Sequence, residues 1–172
     1  SPERFKGAMD SLKKAGVDTV AMECFREDQQ KLVNDWLAAK PGTDDEKSLE
    51  TDMRTYLDKT LNSGAEFTDK VMDFMKGAKD GGMKVLCIEP NGGKITYDGD
   101  GEDKERDGNW NKVTQNYLKE NPESKVLILA GSGHFIHMRD QSVADKFAQD
   151  GIKTTDITPP SQYIDGEILL AR

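Results

Sequence analysis

Histidine, cysteine and long apolar runs are scarce in this sequence of 172 residues. Its two cysteines, Cys24 and Cys87, stand far apart in apolar segments, and no C-x-x-C or Cys/His cluster has structural-zinc spacing. Both read as buried reduced thiols, and such sparse use of cysteine fits a reducing compartment. The longest apolar run falls far short of the roughly 20 residues that cross a bilayer. Positive charge is in deficit too, with a formal net charge of -8. A general nucleic-acid binder or an anionic-membrane binder needs a net basic face, so neither class fits. G-x-S-x-G, G-x-G-x-x-G and a phosphate loop ending in Lys-Ser/Thr are all missing, and Gly131-Ser132-Gly133 satisfies none of them.

What is present is an alternation of amphipathic helices and short apolar strands. Ser1-Pro2-Glu3 opens a helix with a hydroxyl cap, a proline and an acid, and Gly16 ends it. Asp18 to Cys24 reads as a strand and Glu27 to Ala39 as a helix stopped by Pro41-Gly42. The charged stretch 44–62 and the segment Glu66 to Lys79 carry apolar residues at helical spacing. Lys84 to Glu89 is a second strand, and a breaker-rich loop covers residues 90–102. A helix from Asp103 to about Lys119 turns Trp110, Val113 and Tyr117 inward. Lys125 to Ala130 is a third strand, buried on both faces by its apolar run. A helix from Ser142 to Gln149 and a strand over Ile152 to Ile157 complete the series. The expected architecture is one α/β domain over 1–172: a mostly parallel sheet covered by helices on both faces, with a helical insertion at 44–80.

Open α/β sheets bind ligands at the carboxyl ends of their strands. Three ionisable residues fall there: Glu23, Glu89 and His134, the last on the Gly131-Ser132-Gly133 turn. Each has a bland alternative: a salt-bridged or rim glutamate, or a turn histidine satisfied by backbone. The bland alternative weighs most on Glu89, which precedes Pro90. Arg106 lies early in a helix, where the dipole disfavours a cation. It either points into solvent or reaches an anion at the strand ends. His137 makes an H-x-x-H with His134, a weak metal pattern outside a helix. Asp98-Gly99-Asp100-Gly101-Glu102 invites a calcium reading but lacks the full EF-hand spacing.

Taken together, three segments resemble the erythromycin-esterase/ChaN-like (TIKI-type) superfamily. They are Gly16-Val17 with Val20-Ala21-Met22-Glu23, Glu105-Arg106-Asp107 with Trp110, and Val126 to His134. The resemblance runs from near residue 1 to about residue 157. It implies an α/β fold in which Glu23 is the acidic site residue, Arg106 an anion or oxyanion stabiliser and His134 a general acid/base or ligand, all three catalytic. It further implies an esterase or peptidase domain of a secreted bacterial effector or toxin, delivered to the host cytosol and acting on a small molecule or peptide. The sequence itself requires no cofactor; the resemblance admits haem, with His134, His137 or Tyr97 as axial ligands, or a divalent metal. A third reading is a non-catalytic module recognised by a host protein. The superfamily pattern opens with a strand ending in G-E-x-H, which this sequence does not show, and the expectation is that such a strand was trimmed ahead of Ser1.

Overall fold

The structure, a computed structural model, describes residues 9–61, 64–92, 102–130, 143–156 and 167–171. Helix α1 (described over residues 9–14) leads into β1 (Thr19–Arg26), then a short 3-10 turn and α2 (Gln30–Ala38). Helices α3 (Asp44–Leu61) and α4 (Ala65–Asp80) precede β2 (Lys84–Glu89). Next come α5 (Glu102–Glu120), β3 (Val126–Ala130), α6 (Val143–Gln149), β4 (Thr154–Asp156) and β5 (Glu167–Ala171). The sheet order is β2-β1-β3-β5-β4. β1 pairs in parallel with β2 and with β3, whereas β5 runs antiparallel between β3 and β4. The α/β expectation holds. The expected series of strands lacked β5, which turns one position of the sheet antiparallel.

Alternation along the strands sorts side chains onto two faces. Val20, Met22, Cys24, Val85, Cys87 and Leu127 share a buried cluster with residues of α1 to α4, including Trp36, Met53 and Met75. Ala21, Ile88, Ile128 and Ala130 share a second cluster with Trp110 of α5 and Val143 and Phe147 of α6. Helices therefore cover both faces, and the charged stretch at 44–80 contributes Met53, Leu57, Met72 and Met75 to the larger core. Lys79 knots three helices there. Its Nζ donates to Trp36 O at 2.8 Å and to Glu46 Oε1 at 2.5 Å, and lies 4.6 Å from the Trp36 ring centroid.

Two devices aim the strands. The first is a repeated helix stop: the Val17 amide donates to Leu12 O and the Gly16 amide to Lys13 O, with Gly16 at φ +82°. Ile152 and Gly151 repeat the bonds to Phe147 and Ala148, and Met83 and Gly82 repeat them to Ala78 and Lys79. Glycine takes this left-handed position without a Cβ penalty, and the apolar residue after it starts the run into a strand. The second device lies on the outer edge of β2. The Gln30 side chain donates from Nε2 to Val85 O at 2.8 Å and accepts the Cys87 amide at Oε1 at 2.8 Å. It occupies the positions a neighbouring strand would use, and so blunts that edge.

Candidate functional site

The chain leaves β1 for β2 on one side and then crosses to β3 on the other, so the strand order reverses at β1. In open α/β sheets the carboxyl end at such a reversal is a binding crevice. Here β1 is also irregular: from Met22 to Arg26 it advances four residues while β2 advances from Cys87 to Glu89. Bulges re-aim side chains next to sites. This one carries Glu23, and it is tied down at Arg26, whose amide donates to Tyr56 Oη of α3 at 3.0 Å. Phe25 stacks on that ring with centroids 5.9 Å apart.

Helix α5 brings the opposite charge. Arg106 Nε donates to Glu89 Oε1 at 2.8 Å and its Nη2 to Glu89 Oε2 at 3.0 Å, a two-point grip. Trp110, one turn further along the same helix face, donates from Nε1 to Glu89 Oε2 at 3.2 Å. The Arg106 guanidinium carbon lies 5.3 Å from the Trp110 ring centroid, within cation–π reach. Nη2 also stands 3.6 Å from Glu23 Oε2. Asn109 adds a stitch, donating from Nδ2 to Glu27 Oε1 at 2.9 Å and to Ile88 O at 3.1 Å. Exposure separates the two acids. The Glu89 side chain is 3% exposed and that of Glu23 is 24% exposed.

Of the three expected site residues, the structure brings Glu23 and Arg106 together. His134 lies outside the described residues, four positions along the sequence from Ala130, the last residue of β3. His137, Tyr97, Asp98 and Asp100 also lie outside them, so the haem and calcium readings rest on sequence alone. Among the described residues, no group of three or more His, Cys, Asp or Glu is placed to hold a metal ion. Glu89 is the residue that sequence reasoning set aside. It stands at the centre of the cluster. Its only signal was its place at a strand end opposite an arginine that the helix dipole should disfavour. Trp110, read as a core residue, is one that also supplies a hydrogen bond.

Two further features belong to other parts of the fold's chemistry. Cys24 and Cys87 are buried thiols; burial pushes Cys24 well up, with Glu23 adding to the shift, and pushes Cys87 up to about 12. A concavity of about 620 Å³ opens at the amino ends of β1 and β2, lined by Thr19, Gln30, Leu37, Lys84 and Tyr117. It sits at the wrong end of the strands to serve the Glu23–Arg106 cluster, so chemistry and volume point to different places. The chemistry is the better guide, because among the described residues the concavity has no convergent pair of acid and base.

No protein-family model matches the sequence, and no curated protein matches it. Among solved structures the chain is similar to the type III effector HopBA1, with a TM-score of 0.58 and 19% sequence identity. The match covers 77% of this chain and 61% of that one. At that identity the likeness speaks to the α/β fold. The superfamily resemblance drawn from the three motifs has no family match behind it.

Proposed function

We propose that this chain is a domain of a bacterial effector delivered into host cells, carrying a hydrolase-type site at the carboxyl end of β1. The observation that carries the site is the meeting of Glu23 and Arg106 at the strand-order reversal, 3.6 Å apart. The effector class is supported by the fold likeness to HopBA1, and the superfamily assignment by the three ordered motifs. The reaction is hydrolysis of an ester or peptide. Glu23, the accessible acid, takes a proton from water; Arg106 stabilises the oxyanion; His134 returns a proton to the leaving group.

The test is hydrolysis of p-nitrophenyl butyrate and of a quenched peptide pool by the natural chain and by Glu23→Gln, Arg106→Met and His134→Ala. A loss of about 100-fold is expected for each, the usual scale for a proton-transfer group or an oxyanion donor. Natural rates in all three folded variants sink the reading.

A second reading, a non-catalytic module recognised by a host protein, draws on one observation: Nε and Nη2 of Arg106 are already engaged by Glu89. A host-cell response that survives Glu23→Gln and His134→Ala would favour it.

A further inference from the structure

We propose that Glu89 is the positioning residue of this site, fixing the Arg106 guanidinium so that its Nη2 edge meets Glu23. The proposal rests on the reading that Glu23 and Arg106 act together in hydrolysis.

Arginine is a poor choice for this place unless something holds it. Arg106 is the fifth residue of α5, close to a helix start that repels cations, and its long side chain loses much rotamer freedom when it is fixed. Glu89 meets both costs. Its two oxygens accept Nε and Nη2 together, which fixes the plane of the guanidinium as well as its position. Trp110 closes the arrangement by donating to Oε2 and lying against the guanidinium. Three donors from residues four apart on one helix thus converge on a single carboxylate.

The two acids are not equivalent. Glu89 has both oxygens taken by the Arg106 and Trp110 donors, so its part is to hold the arginine and not to take a proton. Glu23 takes the longer approach of 3.6 Å and keeps 24% of its side chain exposed. One carboxylate orients the arginine and leaves the other partly exposed at the end of β1. Stability is a weak account of Glu89, because a buried ion pair is often matched or bettered by apolar groups of equal size. Rigid orientation is what an apolar pair could not supply.

Arg106 carries its own readout, the Nε–Hε cross-peak in ¹⁵N–¹H NMR, assigned by its loss in Arg106→Met. In the natural chain the two-point bond should hold that proton against exchange, and the peak should persist in Glu23→Gln. In Glu89→Gln it should broaden away or move. On p-nitrophenyl butyrate, Glu89→Gln should lower kcat by about 30-fold with little change in KM, and Trp110→Phe by about 3-fold to 10-fold.

A peak that persists unmoved and unbroadened in Glu89→Gln, or vanishes in Glu23→Gln, overturns the proposal. So does natural hydrolysis by Glu89→Gln when Glu23→Gln and Arg106→Met are inactive. Should Glu89→Gln fail to fold, Trp110→Phe decides, since it keeps the ring and removes the donor to Oε2. Unchanged Hε protection and unchanged kcat in that variant also overturn it. If Glu23→Gln and Arg106→Met hydrolyse at the natural rate, the hydrolase reading fails and the positioning role falls with it. The NMR arm separates that failure from a failure of Glu89 to hold Arg106.

Discussion

Cys87 shows how a buried residue outside the site still sets a measurable property. Its thiol is 1% exposed, and burial is the main cause that pushes it up to about 12, with Asp28 adding to the shift. An unfolded thiol loses its proton near pH 8.5. Above that pH the unfolded chain binds fewer protons than the native one, so the free energy of unfolding falls as pH rises toward the native value. The contribution is fully present at neutral pH and lost across the alkaline range. Cys87→Ala should therefore flatten the decline in stability between about pH 9 and pH 11, at a cost near 1 kcal/mol at neutral pH from the small cavity. Urea melts at stepped pH measure both effects; equal alkaline slopes for the two proteins would refute the account. The burial of both thiols was legible in the sequence, because each cysteine stood in an apolar run. Glu89 was not. Nothing local in Ile88-Glu89-Pro90 says that an arginine 17 residues on will return to it. Arg106 was legible only as a choice between solvent and an anion, and its two-point bond to Glu89 decides for the anion.

Elements were most legible where the chain punctuates itself. Gly16-Val17 and Gly151-Ile152 mark helix stops from sequence, and the same bonds recur at Gly82-Met83. These signals are local, so sequence alone carries them. β5 shows the opposite case. Ile168-Leu169-Leu170 is a short apolar run, and its place between β3 and β4 depends on partners about 40 and 15 residues away, beyond the reach of any local pattern. The Gln30 clasp was equally invisible, because a glutamine on the polar side of α2 gives no hint that it serves a strand edge. Its value is testable. Gln30→Ala leaves Val85 O and the Cys87 amide without their side-chain partner, and a loss of about 1–3 kcal/mol is expected for two such groups at a part-buried edge. Gln30→Glu should be at least as costly, since it offers an acceptor where Val85 O needs a donor. A urea midpoint in Gln30→Ala equal to that of the natural chain would show that water replaces the clasp at no cost.

On the scale of the whole molecule, the sheet joins two cores that the helices build separately. Trp36 is buried in the core of α1 to α4, and Trp110 in the core of α5 and α6. The site lies where they meet, since Glu23 sits in the irregular stretch of β1 while Tyr56 of α3 holds Arg26 from one side and Arg106 of α5 reaches Glu23 from the other. The charged segment at 44–80 looks in sequence like an insertion between two core strands. In the structure, Met53, Leu57, Met72 and Met75 are 0% exposed within the same cluster as Val20 and Met22. Removing that segment would strip one face of the sheet, so it should not melt independently. The two tryptophans allow a direct measurement, because they are the only ones in the chain. Trp110→Phe leaves fluorescence from the first core alone, and Trp36→Phe leaves it from the second. In each variant the urea transition by tryptophan fluorescence should coincide with that by far-ultraviolet circular dichroism, as one cooperative unit requires. Comparing two probes within one variant removes the stability change that the substitution itself introduces. If fluorescence led circular dichroism in either variant, one face would open before the other. Glu23 and Arg106 would then be held together only while both cores remain intact.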